Sequence, residues 1–221
     1  MDSYLKYIIL VFIFISFNGR LIAQCDQAPL VYNKIDKTSI VKGVYQPTTL
    51  WSEIKYIGRP KDSIYVGVPN NLKQALKSRT VDESERNHFN FYSLGRLKVM
   101  ACAENIVKMY VWEHERDKPP SVSQYLMLVV QNIDSLPIEI SKRKLTNIGV
   151  ETNTRGQDWL KAAKPSSFKI CGGDKGYYIK PNEVAVFSIP LLNIPRATEV
   201  RFNIGASYSN IIDSSFGKNN E

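Results

Sequence analysis

The sequence predicts a mainly β protein: an antiparallel β-sandwich with one short helix near residues 71–80. Three observations carry this. Short segments rich in Val, Ile, Tyr and Phe recur along the chain, as suits a pleated, half-buried surface. Turn residues (Gly, Pro, Asn, Asp) separate them at short intervals, the pattern of a sandwich rather than a parallel α/β sheet. Helical periodicity shows at a single place.

The first residues read as a leader. Lys6 and the free amine precede an apolar block, Tyr7 to Phe17, broken only by Ser16. Eleven residues suit the apolar core of a signal peptide, whereas a membrane span needs about 20. Asn18-Gly19-Arg20 ends the run, and a positive charge at Arg20 opposes a stable anchor. Ala23 supplies a small residue before the cut, so residues 1–23 are expected to be a signal peptide. Export then places the protein in the periplasm, on the cell surface or outside the cell. Ile22-Ala23-Gln24-Cys25 also resembles a bacterial lipobox, with Gln24 where a small residue is usual. Cleavage after Ala23 is the favoured expectation. A lipid anchor through Cys25, and with it a membrane partner, is the alternative.

The expected strands follow in order: Ser39–Tyr45, Ser63–Val68, Arg96–Ala103, Ile106–Glu113, Ser123–Gln131, Pro137–Ser141, Asn147–Thr152, Glu183–Ile189 and Thr198–Ile204. Glu104-Asn105 is read as the tip of a hairpin joining the third and fourth. Lys180-Pro181-Asn182-Glu183 is a turn, because Pro presets the backbone at its second position. The helix starts at an Asn71 cap and sets Leu72, Ala75 and Leu76 on one face, ending by Thr80. Val81 to Asn90 is polar and reads as an exposed loop. Residues 217–221 read as a disordered tail.

Removing 23 of the 221 residues leaves 198, enough for a sizeable core without disulfides. One β-sandwich domain over 24–216 is expected. Its best-supported part is 94–216, and 24–93 either completes the sandwich or forms a separate N-terminal extension. The leader takes Lys6, Arg20 and Asp2 with it, leaving 27 basic against 20 acidic side chains, a net charge of +7. The charges are scattered and Lys142-Arg143-Lys144 is the densest basic run, so no nucleic-acid partner is expected. Three cysteines, Cys25, Cys102 and Cys171, enter a compartment that permits disulfides. Lipidation of Cys25 leaves Cys102 and Cys171 as the candidate pair; two small buried hydrophobes is the alternative.

Gly156-Gln157-Asp158-Trp159, Cys171-Gly172, Pro181-Asn182-Glu183, Arg201-Phe202 and Ser209-Asn210 punctuate the last 100 residues. In this the chain resembles uncharacterised secreted bacterial β-sandwich proteins of immunoglobulin- or fibronectin-like strand order. The resemblance implies an immunoglobulin-like sandwich and lends no activity.

No catalytic residue is nominated. The two histidines, His88 and His114, are too few for most metal or acid–base arrangements, and Glu113 and Glu115 flank His114 on alternating sides of a strand. No P-loop, dinucleotide fingerprint or nucleophile elbow occurs. No cofactor and no metal are expected. Aromatic residues near turns are the remaining handle, since ring faces cover the C–H surfaces of sugars. Trp159, Tyr177 and Tyr178 form the candidate ligand set, drawn from a wider group with Trp51, Trp112 and Tyr208. The expected function is a non-catalytic binding or scaffolding role at the cell envelope, with an envelope protein or glycan as partner. A carbohydrate-binding module is the alternative. A hydrolase using Cys171 and a histidine comes third.

Overall fold

A computed structural model describes residues 25, 28–32, 40–42, 53–66, 74–75, 77–78, 80–81, 90–91, 96–112, 121–142, 148–154, 158–163, 176–191 and 199–213. The expected signal peptide (residues 1–23), Trp51, His88, His114, Cys171 and residues 217–221 lie outside them. The chain is mainly β, with several antiparallel sheets. In chain order the strands are β1 (Leu30–Tyr32), β2 (Ile40–Lys42), β3 (Glu53–Gly58), β4 (Ser63–Tyr65), β5 (Thr80–Val81), β6 (Asn90–Phe91), β7 (Leu97–Trp112), β8 (Ser121–Asn132), β9 (Ile138–Lys142), β10 (Gly149–Asn153), β11 (Leu160–Ala163), β12 (Gly176–Ile179), β13 (Val184–Pro190), β14 (Glu199–Ile204), β15 (Ser207–Tyr208) and β16 (Ile212–Asp213).

Tyr125 to Val130 is an unbroken apolar run, and β13 is buried at every position. Such strands bury both faces, and they sit at the centre. The sheet order is β2-β7-β8-β13-β3. On one face Leu126, Leu128 and Val130 join Ala185, Phe187 and Ile189, and meet Val150, Val200, Phe202 and Ile204 from β10 and β14. Those two strands belong to a second sheet, ordered β11-β10-β14-β15, with β16 also on β14. The other face carries Met100, Met127, Val129 and Val186. Val31 and Ile64 cover it from the parallel pair β1–β4. A fourth sheet, β5-β12-β9-β6, adds Ile138, Ile140 and Ile179 to the first core. Segment 24–93 therefore supplies strands to sheets shared with the C-terminal half: β2 pairs with β7 and β3 with β13.

The Glu104-Asn105 hairpin does not form. Both halves run in one direction along β8 as a single strand, interrupted by a bulge. Ala101 faces Leu128 and Ile106 faces Leu126, so residues 102–105 stand opposite Met127 alone. The reason is long-range. The buried Asn105 side chain donates to the Pro29 carbonyl (3.2 Å) and accepts the Val31 N–H (2.9 Å). The excursion is thereby held against β1 and cannot fold back on itself.

The 180–183 turn forms as its Pro181 demands. Glu183 N–H donates to the Lys180 carbonyl at 3.0 Å and Asn182 takes φ 61°, a left-handed conformation Asn tolerates. Beside it the fully buried Asn132 donates to the carbonyls of Leu136 (2.8 Å) and Ile179 (2.9 Å) and accepts the Asp134 N–H (2.8 Å). It ties the β8–β9 turn to the end of β12. Of the helix near residues 71–80 the described residues hold one turn, with Ser78 N–H donating to the Gln74 carbonyl at 3.3 Å. The stretch read as a loop is flanked by two short strands, β5 and β6. Strands β1, β3, β5, β6, β11, β12, β15 and β16 are additions to the expected set.

Candidate functional site

The second sheet exposes a patterned outer face. In β14, Val200, Phe202 and Ile204 enter the core, so Glu199, Arg201 and Asn203 point away from it. Antiparallel pairing sets Asn153 beside Glu199, Glu151 beside Arg201 and Gly149 beside Asn203. A Cβ at Gly149 would run into the Asn203 side-chain amide, which would have to move aside.

Arg201 is the centre of this face. Its Nε and Nη2 both donate to Glu151 Oε2, at 2.8 and 2.6 Å. The guanidinium carbon stands 4.2 Å from the Trp159 ring centroid and 4.5 Å from that of Tyr208. Trp159 arrives from the start of β11, which pairs with β10; Tyr208 arrives from β15, which pairs with β14. Gly205 makes the second arrival feasible, since its φ of 60° turns the chain from β14 into β15. The two rings thus approach one cation from strands on opposite sides of β10 and β14. Tyr208 is 46% exposed. At the next position Asn153 Nδ2 donates to Glu199 Oε2 at 3.4 Å, while Asn153 Oδ1 is buried with no hydrogen-bond donor among the described residues.

Of the three nominated ligand residues, Trp159 alone belongs to this face. Tyr177 and Tyr178 lie in β12, on the four-stranded sheet, and pair with β9. Tyr177 packs against the core, and burial raises its phenol above the usual 10.0. Sequence reasoning missed Glu151 and Arg201. The alternation of Glu199–Ile204 marks Arg201 as outward-facing, but its neighbours depend on strand register.

The second notable cluster is at the bulge. Cys102 pairs with Cys25 across 77 residues of chain, with Cα atoms 5.6 Å apart. This corrects the expected Cys102–Cys171 pair. Cys102 heads the excursion that Asn105 docks on Pro29 and Val31, which brings Cys25 alongside it. Glu104 lies close to both sulfurs. As a disulfide the two sulfurs offer no thiolate, the form that binds a metal. Cys171 and both histidines lie outside the described residues, so a cysteine–histidine nucleophile has no geometry to add.

Against known proteins, no family model, no curated protein and no solved structure matches this chain.

Proposed function

We propose that the chain is an exported, non-catalytic binding protein of the cell envelope, and that its ligand surface is the outer face around Trp159, Arg201 and Tyr208. The observation that carries this reading is the bracketed Arg201. An arginine side chain has about 2 kcal/mol of rotamer entropy to lose on being fixed. Here a carboxylate and two rings hold it before any ligand arrives. Preorganised, rigid groups of this kind lower the cost of binding. Two bonds to Glu151 leave guanidinium N–H groups without a partner among the described residues.

Ring surface and spare donors on one face favour a glycan as the ligand. Hydroxyls both donate and accept, and sugar C–H surfaces cover exposed rings. The test titrates the purified mature protein with neutral and acidic envelope oligosaccharides, following Trp fluorescence and calorimetry. Trp159→Ala and Tyr208→Ala should each weaken binding at least tenfold. If both variants bind like the wild type, this face is not the ligand surface. If no oligosaccharide binds but an envelope protein does, through the same two rings, the glycan is wrong and the surface is right.

A further inference from the structure

We propose that Cys25 is a structural half-cystine and not a lipid-attachment site, so that the mature protein is stapled at its N-terminus and carries no acyl chains on that residue. The two fates compete for one atom. Lipoprotein maturation turns the sulfur of the lipobox cysteine into a diacylglyceryl thioether, and a thioether sulfur cannot also form a disulfide.

The structure builds the disulfide fate from three chain segments. The Cys25 carbonyl accepts the Ala28 N–H at 2.9 Å, which starts the chain into β1. Asn105 grips Pro29 and Val31 through its two side-chain hydrogen bonds, and Leu30 N–H donates to the Asp62 carbonyl at 3.0 Å. From the C-terminal side the Asn210 amide binds both backbone groups of Ala101, accepting its N–H at 2.9 Å and donating to its carbonyl at 2.7 Å. Asn210 Nδ2 also lies 3.9 Å from Cys25 Sγ. The residue preceding Cys102 is thus locked, and the chain following Cys25 is laid onto the bulge.

The redox step balances in an exported setting. Two thiols lose two protons and two electrons as the S–S bond forms, and the disulfide of a dithiol oxidase accepts them and becomes a dithiol. Cys171 is then the odd thiol.

The test uses the full chain, exported with its own leader and analysed unreduced. Peptide mapping by mass spectrometry should find Cys25 linked to Cys102 behind a lipid-free N-terminus upstream of Cys25. A maleimide added to denatured, unreduced protein should label one thiol, and three after reduction. Cys102→Ser should raise the unreduced count to two by freeing Cys25. A diacylglyceryl group on Cys25, a link from Cys102 to Cys171, or three free thiols without reduction would each overturn the proposal. Mapping needs only the wild-type chain, so a variant that fails to fold leaves the test intact. Loss of glycan binding would not bear on it.

Discussion

Replacing Arg201 by Ala should cost about 3 kcal/mol of folding stability, and the figure can be built from its contacts. The Glu151 side chain is 7% exposed and that of Arg201 26%. Stripping one partner from a buried pair costs about 3–5 kcal/mol, whereas an exposed pair contributes about 0–1 kcal/mol. One buried and one partly exposed partner place this pair between, at about 2 kcal/mol. Each ring contact of a cation at such a site adds about 0.5–1 kcal/mol, and there are two. The sum, about 3–4 kcal/mol, lowers the melting temperature by about 10 °C for a chain of this size. Glu151→Gln removes the charge but leaves the rings on Arg201, and should cost about 1–2 kcal/mol. Because the two residues touch, the double variant should lose less than the two single losses added together, by about 1 kcal/mol or more. Urea unfolding at pH 7, followed by circular dichroism, measures all three. An Arg201→Ala variant within about 0.5 kcal/mol of wild type, the range of ordinary surface changes, would refute the bracketed arrangement. So would strict additivity.

Three further outcomes follow from single side chains. Asn132→Ala strands the buried Ile179 carbonyl and frees two part-buried backbone groups of the β8–β9 turn, and should cost about 2 kcal/mol in the same urea experiment. Gly149→Ala should cost about 1–2 kcal/mol by displacing the Asn203 amide, and Asn203→Ala introduced with it should recover most of the loss. The N–H of Ser135, then that of Arg96, holds the Asp134 carboxyl below its ordinary 3.8. A carboxyl lowered by folding stabilises above its unfolded value, and that share is lost as pH falls through the folded value. NMR titration should therefore find Asp134 below 3.8, and Asp134→Asn should flatten the stability curve at its acid end.

Much of the β framework was legible. The apolar run of β8, the alternation of β14 and the Pro181 turn each carry their structure in local residue order. What escaped depends on partners distant in sequence. The chain near Glu104-Asn105 has hairpin chemistry, but Asn105 spends its side chain on Pro29 and Val31, and the strand runs on. Strands as short as β5 and β15 exist because a longer neighbour offers an edge. Trp159 was recognisable as an aromatic beside a turn. That it stacks on Arg201 depends on β11, β10 and β14 lying side by side. Tyr177 and Tyr178 lie apart from Trp159 for a simpler reason: closeness in sequence says nothing of a shared sheet. Cysteine spacing likewise left the partner of Cys102 open.

The bulge in β7 also constrains which length changes the gene can accept. Four residues opposite one amount to three extra, an odd number, and side chains alternate with a period of two. Strict alternation would put Ile106, five residues after Ala101, on the opposite face; instead both reach the core facing β10 and β14, while Val107 and Met109 reach the other one. The excursion is therefore not pleated strand, and the pairing at its two ends sets the facing of everything beyond it. What a shorter excursion would lose is the reach of Asn105 to Pro29 and Val31 and the link from Cys102 to Cys25. Length changes at this point should consequently be tolerated according to whether those two residues keep their partners, not according to whether the step is odd or even.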